Sequence, residues 1–265
     1  MHDDDPWAFL KTHTPARIAQ GRTGRSLPTS ALLSFQLDHA RARDAVHSTL
    51  DTALLLNQLN EVHPSPVPIN SEAVDRQLYL KRPDLGRKLS EASHTTLQQL
   101  AYHSRFDLCI VVADGLSALA INRYALPVVT GLVEQATTLN WSVAPLCLVE
   151  QGRVAIGDEI AHSLKADLVV VLIGERPGLS SPDSMGAYLT YRPRPGLTDE
   201  SRNCVSNIRP NGLSHAFAIQ KITYLLTEMK RRQLSGVLLK DDMPTYTLPH
   251  TSSPVVTVQS PETPD

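Results

Sequence analysis

Cysteine is scarce in this chain: Cys109, Cys147 and Cys204 are the three among 265 residues. They are far apart, odd in number and never in C-x-x-C spacing. That argues against a zinc ribbon and against a disulfide framework, and it fits a reducing cytoplasm. The ten histidines are scattered, with no H-x-x-x-H or H-E-x-x-H pair, so a protein-built metal site is not expected. Charge of one sign is missing too. Lys+Arg 25 against Asp+Glu 27 leaves a formal charge of −2, so no global basic field recruits nucleic acid. No apolar stretch approaches the length of a membrane span, and residues 1–20 lack the charged-then-apolar order of a secretory signal. There is no G-x-G-x-x-G, no P-loop and no G-x-S-x-G elbow, so dinucleotide binding, triphosphate binding and serine hydrolysis gain no specific support.

What is present is a 42% hydrophobic chain, enough for a sizeable core. The strand read at Asp167–Ile173 holds an unbroken apolar run from Leu168 and is expected to be buried on both faces, as in parallel sheets. Asp107–Ala113, Leu146–Val149 and Cys204–Ile208 read as further strands. Helical periodicity falls between them, from Glu91 to His103, around Val129–Leu139, after Asp158 as a cap, and from Ser214 through Met229. Lys230, Arg231 and Arg232 suit the end of that last helix, and Gly236 its stop. This alternation predicts a parallel, Rossmann-like α/β domain over residues 89–242. Residues 1–88 predict a mostly helical N-terminal region, with Thr29 or Ser30 capping its first helix and a shift of phase after Ala40. His63–Pro68 holds three prolines in six residues and must be extended or a turn. The Pro/Gly/Ser segment between the strands Asp167–Ile173 and Cys204–Ile208 reads as irregular. Residues 243–265 predict a disordered tail, since Pro244–Asp265 carries five prolines and eight Ser/Thr.

Four turns then fall on one edge of the predicted sheet: Asp114-Gly115-Leu116-Ser117, Gly152-Arg153-Val154-Ala155, Gly174-Glu175-Arg176-Pro177 and the loop around Cys204–Gly212. In open α/β sheets the carboxyl edge is where ligands bind, and glycine lets backbone approach a ligand closely. The plain alternative is four ordinary strand-to-helix turns. Glu175 and Arg176 either pair with each other at the surface, which contributes little, or Glu175 accepts hydrogen bonds from a ligand. Cys204 is either a nucleophile or a small semi-buried apolar residue, and no histidine is placed by sequence to activate it. The residues describe a binding crevice without evident catalytic machinery.

Six ordered motifs carry a resemblance. They are Ala16-Arg17-Ile18-Ala19-Gln20-Gly21-Arg22 running on to Ser26-Leu27-Pro28-Thr29, then His39–Val46, Tyr79–Arg87, Asp114–Ser117, Gly174–Leu179 and Cys204–Ile208. Over about residues 12–240 the chain resembles the small (light) subunit of ethanolamine ammonia-lyase. The resemblance implies a lyase subunit that is inactive alone, in an enzyme converting ethanolamine to acetaldehyde and ammonia by a radical route with adenosylcobalamin. It implies a hetero-oligomer with a large, heavy TIM-barrel subunit that holds the substrate, while the small subunit covers the dimethylbenzimidazole side of the cofactor. That cofactor keeps its own base as lower ligand, which agrees with the missing Asp-x-His-x-x-Gly loop. By motif match, the cobalamin-contacting residues are Val154, Glu175 and Cys204; no catalytic or metal-binding residue is implied. Some members carry a long N-terminal extension linked to packaging in a bacterial microcompartment, whereas this chain reaches its first motif at Ala16; a cytoplasmic setting is expected. The rival reading is a free-standing α/β protein that binds a nucleotide or regulates a partner, and co-purification with a barrel-type subunit separates the two.

Overall fold

The strand Ala166–Gly174 (β4) has no polar side, and the fold answers by covering both of its faces. A computed structural model describes residues 5–14, 16–100 and 105–243. The expected tail, Pro244–Asp265, and the end of the helical pattern at 101–103 lie outside the described residues. The described chain runs through helices α1 (Thr29–His47) and α2 (Thr52–Val62), strand β1 (Val67–Asn70), and helices α3 (Arg76–Lys81) and α4 (Glu91–Leu100). It continues with β2 (Phe106–Ala113), α5 (Ala118–Thr138), β3 (Cys147–Glu150), α6 (Ile156–Ser163) and β4. It closes with β5 (Met185–Tyr191), β6 (Asn203–Ile208) and α7 (His215–Arg232).

The strands form one six-stranded sheet in the order β1-β3-β2-β4-β5-β6. The first four are parallel. Leu108, Ile110 and Val112 of β2 point to one face, against α2, α5 and α7. Cys109, Val111 and Ala113 point to the other, against α4 and α6. That period-2 alternation in a run with no polar member is what two apolar layers require. Each fully buried Leu or Ile contributes about 1.5–3 kcal/mol.

Several expectations are corrected. The segment read as irregular contains β5, which runs antiparallel to β4. β6 is antiparallel to β5 and so runs in the same direction as β4. The sheet is therefore mixed, because the loops 175–184 and 192–202 carry no crossover α-helix and so join antiparallel neighbours. The proline-rich stretch is extended as read and supplies β1, a strand within the region expected to be mostly helical; Pro68 is tolerated there because β1 is an edge strand, where one missing N–H costs no ladder bond. Pro28, not Thr29 or Ser30, occupies the N-cap of α1, with no side-chain cap. α1 runs unbroken through the phase shift after Ala40, and the break to α2 comes later, at 48–51, where Asp51 caps the second helix through Leu54 N–H. Asp158 lies inside α6 rather than capping it, because its carboxylate is taken by Arg202. Gln233, in the left-handed conformation, ends α7 ahead of Gly236. Ser214 does cap α7, accepting from Phe217 N–H. Among the described residues no helix is long and apolar enough to cross a membrane.

Candidate functional site

The chain leaves β2 through α5 on one face and returns as β3 on one side of β2. It then passes through α6 on the opposite face to reach β4 on the other side of β2. Strand order thus reverses between β2 and β4, and a crevice opens beyond their carboxyl ends.

Asp114 closes β2 and is 3% exposed. Its Oδ1 accepts the N–H groups of Gly115 at 2.9 Å and Gly152 at 3.0 Å, clamping the turn after β2 to the turn after β3. Arg76 of α3 stands 3.5 Å from its Oδ2. The same guanidinium donates to the carbonyls of Val46 at 2.9 and 2.7 Å and Gly115 at 2.7 Å, so it pins the end of α1 to the crevice. Burial pushes the Asp114 carboxyl up to about 6, against the opposing pull of the Gln151, Gly152 and Gly115 N–H groups and Arg76.

Gly115 and Gly174 make the closest backbone approach. Gly115 has φ +58°, and Leu116 N–H donates to the Gly174 carbonyl at 2.9 Å. A Cβ on Gly174 would fall on the carbonyls of Ser117 and Asp114. Only glycine fits where the two turns cross.

Glu175 follows. Both carboxylate oxygens accept Asn207 N–H, at 3.3 and 3.2 Å, and its own N–H donates to Ser184 at 3.0 Å. This ties the end of β4 to the start of β5 and the end of β6. Glu175 and Arg176 form no ion pair among the described residues, which removes the surface-pair reading. Tyr79 is fully buried, donates to the Gly152 carbonyl at 3.0 Å, and carries two guanidiniums on its ring. The Cζ of Arg76 lies 4.9 Å and that of Arg153 4.3 Å from the ring centroid. Burial raises the Tyr79 phenol well above its ordinary range, so it stays a neutral donor.

The four turns do converge. Gly115 and Leu116, Arg153 and Val154, Gly174 to Arg176, and Ser206, Asn207 and Arg209 line one cavity of about 690 Å³. Val154 and Glu175 stand in its wall. Cys204 is outside that lining, on β6 directly opposite Tyr188 of β5, and Tyr188 does line it. The Cys204 residue is exposed, yet partial burial and the nearby Glu175 charge hold its thiol above its ordinary range, while a hydrogen bond from Tyr188 pulls the other way. It is thus a protonated thiol at neutral pH, the opposite of an activated nucleophile. Sequence reasoning missed Tyr79, Tyr188 and Ser184. The Gly186-Ala187-Tyr188-Leu189-Thr190-Tyr191 alternation between Pro182 and Pro193 was the available sign of the strand that brings Tyr188 in.

A larger groove of about 1100 Å³ lies at the opposite edge, between Arg105, Lys165, Tyr191 and Arg194. It sits at the amino ends of the parallel strands, away from the reversal of strand order, and we assign the site to the carboxyl edge. No histidine or lysine lines the carboxyl-edge cavity, and Glu175 is engaged with Asn207, so no nucleophile–base pair is assembled there. Among the described residues, no group of three or more His, Cys, Asp or Glu side chains is placed to hold a metal ion. The arrangement can bind and orient a ligand by hydrogen bonds, charge and close backbone approach.

Residues 4–240 match the family model described as ethanolamine ammonia-lyase light chain (EutC). An ethanolamine ammonia-lyase small subunit of Pseudomonas fluorescens (strain Pf0-1) is 58% identical over 246 residues, covering 92% of this chain and 90% of that one. Proteins of the same name from Pseudomonas putida (strain F1) and Pseudomonas aeruginosa (strain LESB58) are each 55% identical. The first covers 94% of this chain and 93% of its own, the second 90% and 88%.

Proposed function

The chain belongs to the ethanolamine ammonia-lyase light-chain family, and on that premise we propose that it binds adenosylcobalamin in the carboxyl-edge crevice, covering the cofactor's lower, dimethylbenzimidazole face jointly with a catalytic TIM-barrel large subunit. It is a lyase subunit. The carrying observation is the convergence of four turns, from four separate strands, on one cavity that includes Val154 and Glu175. The reversal of strand order beside it supports the Rossmann-like reading of residues 89–242.

The residues present fit such a group. The cavity wall is polar without being reactive, its glycines let backbone come close, and the Nε of Arg153 is buried without a partner. When bound, adenosylcobalamin supplies the radical chemistry of the deamination. The chain's own residues bind and orient. Glu175, aimed by Asn207 N–H, accepts hydrogen bonds from amide or hydroxyl groups of the ligand. Val154 gives an apolar wall. Tyr188 and Cys204 form the flank toward β6, with the thiol kept protonated and therefore inert. Asp114, Arg76 and Tyr79 hold the turns in place from beneath.

A partner is supported by α1, which leaves Leu32, Leu33, Phe35 and Leu37 between 39% and 58% exposed. A monomer rarely shows so much apolar surface along one helix. We take that helix as part of the contact with the large subunit, in the cytoplasm.

The test is reconstitution. Mixing this chain with the large subunit should produce adenosylcobalamin-dependent acetaldehyde formation, with no turnover by this chain alone. Turnover by the isolated chain, or a large subunit equally active without it, would sink the reading.

A further inference from the structure

Two guanidiniums stack on Tyr79, and they are used very differently. Arg76 spends all three nitrogens inside the protein, on the Val46 and Gly115 carbonyls, with Asp114 as counter-ion. Arg153 does not. Its one hydrogen bond is a long one, Nη2 to the Tyr79 carbonyl at 3.4 Å. Its Nε is buried with no acceptor. Among the described residues it forms no ion pair. The carboxylates nearby are already engaged: Asp114 with Gly115 and Gly152, Glu159 with Leu89 N–H, Asp158 with Arg202, Glu175 with Asn207.

A half-buried guanidinium with donors to spare is costly to leave so. Arg153 is nevertheless held firmly. Its N–H donates to the Gly86 carbonyl at 2.7 Å, its side chain packs over Gly86, and its head rests on Tyr79. It lines the cavity beside Val154, where Arg176 and Arg209 leave three guanidiniums against one carboxylate. Arg176 is exposed and water serves it. Arg209 is bonded to Asn207 and Ser180. Arg153 is the cation left waiting for an anion.

We infer that Arg153 is the site for an anionic phosphodiester on the ligand of this crevice. Guanidinium matches phosphate oxygens through paired N–H donors, and a half-buried pair is little screened by salt. The inference rests on the cobalamin reading, because the nucleotide loop of cobalamin carries one phosphodiester. It adds that this charge, not only shape and amide contacts, is read by the small subunit.

The experiment uses the complex of this chain with the large subunit. Affinity is measured by absorbance titration for cobalamin and for cobinamide, which lacks the nucleotide and its phosphodiester. Arg153→Gln should weaken cobalamin binding about tenfold to a hundredfold, the range of a charge-assisted hydrogen bond. It should leave cobinamide within about twofold, and Arg153→Lys should restore part of the loss. Equal losses on both ligands would make Arg153 a general wall residue, and no loss on cobalamin would remove it from the site; either overturns the inference while cobalamin binding by the wild type stands. If the wild-type complex binds neither corrinoid, the cobalamin reading and this inference fall together. Should Arg153→Gln fail to assemble, competition on the wild type decides. Inorganic phosphate should weaken cobalamin and spare cobinamide, and equal effects on the two would overturn the inference.

Discussion

Arg202 and Asp158 form an ion pair that is almost wholly out of water, with side-chain exposures of 2% and 4%. It joins the residue just before β6 to the first turn of α6, which lie far apart in sequence. Arg202 also donates to Asp199 at 3.1 Å and to the Leu197 carbonyl at 3.2 Å. Such a pair is weak evidence of net stabilisation, but removing one partner strands the other.

Arg202→Met should therefore destabilise the fold by about 3–5 kcal/mol in urea unfolding, because the Asp158 carboxylate is left buried and unpaired. Arg202→Met with Asp158→Leu should recover much of that loss. A single substitution costing under about 1 kcal/mol would show that water reaches the pair.

Asp114 predicts a pH dependence. Its folded pKa, about 6, lies above the ordinary 3.8. Between those values the folded chain keeps a proton that the unfolded chain releases. The stability contributed by this group is fullest below about pH 4 and is lost as pH rises through about 6. Asp114→Asn should flatten that slope, by about 1.4 kcal/mol per pH unit inside the window, in urea unfolding between pH 4.5 and 7. Identical slopes in the two proteins would refute the assignment.

Glu175→Gln should weaken cobalamin retention in the complex by about 1–3 kcal/mol, since amidation removes charge assistance and keeps shape. One oxygen remains for Asn207 N–H, so the unfolding midpoint should move little. Titration of the assembled enzyme reads the first, thermal unfolding the second. Unchanged affinity would exclude Glu175 from the ligand.

Gly174→Ala should destabilise by about 1–3 kcal/mol or more, because its Cβ meets the Ser117 and Asp114 carbonyls and neither backbone can yield without moving a turn. Ala187→Gly, in the adjoining strand, removes one buried methyl and makes no clash. Thermal unfolding of both variants tests the contrast, and a tolerated Gly174→Ala would mean the two turns can part enough to admit a methyl group.

Cys204→Ser should leave turnover intact at saturating cofactor. The wild-type thiol, exposed but held above its ordinary pKa, should react slowly with iodoacetamide at pH 7.5. Rapid alkylation, or abolished turnover in an intact complex, would contradict an inert flank.

The central strands and helices were legible in the residues because their signals are local. Val169 to Ile173 have no polar member, so any fold must bury both sides of that strand. Ser214 sits where a helix needs a cap, and Lys230 to Arg232 where its dipole wants cations. Glycine at each strand end marked the crevice turns. Val154 and Glu175 were placed beside one another by that logic and by motif resemblance, and the fold brings both to one cavity.

What tertiary structure alone decided is every pairing between distant groups. The sequence by itself determined which segments are apolar on both sides, where the turns lie and the family the motifs resemble. It did not determine that β5 would run antiparallel, that Asp158 would face Arg202 instead of capping a helix, or that Tyr188 would stand between Cys204 and the cavity. Nor did it distinguish the satisfied guanidinium of Arg76 from the unsatisfied one of Arg153. The reason is physical. Backbone propensity and burial act over a few residues, whereas the partner of a charge or a hydroxyl is set by which elements pack together, and that is fixed only when the whole sheet and both of its helical layers close.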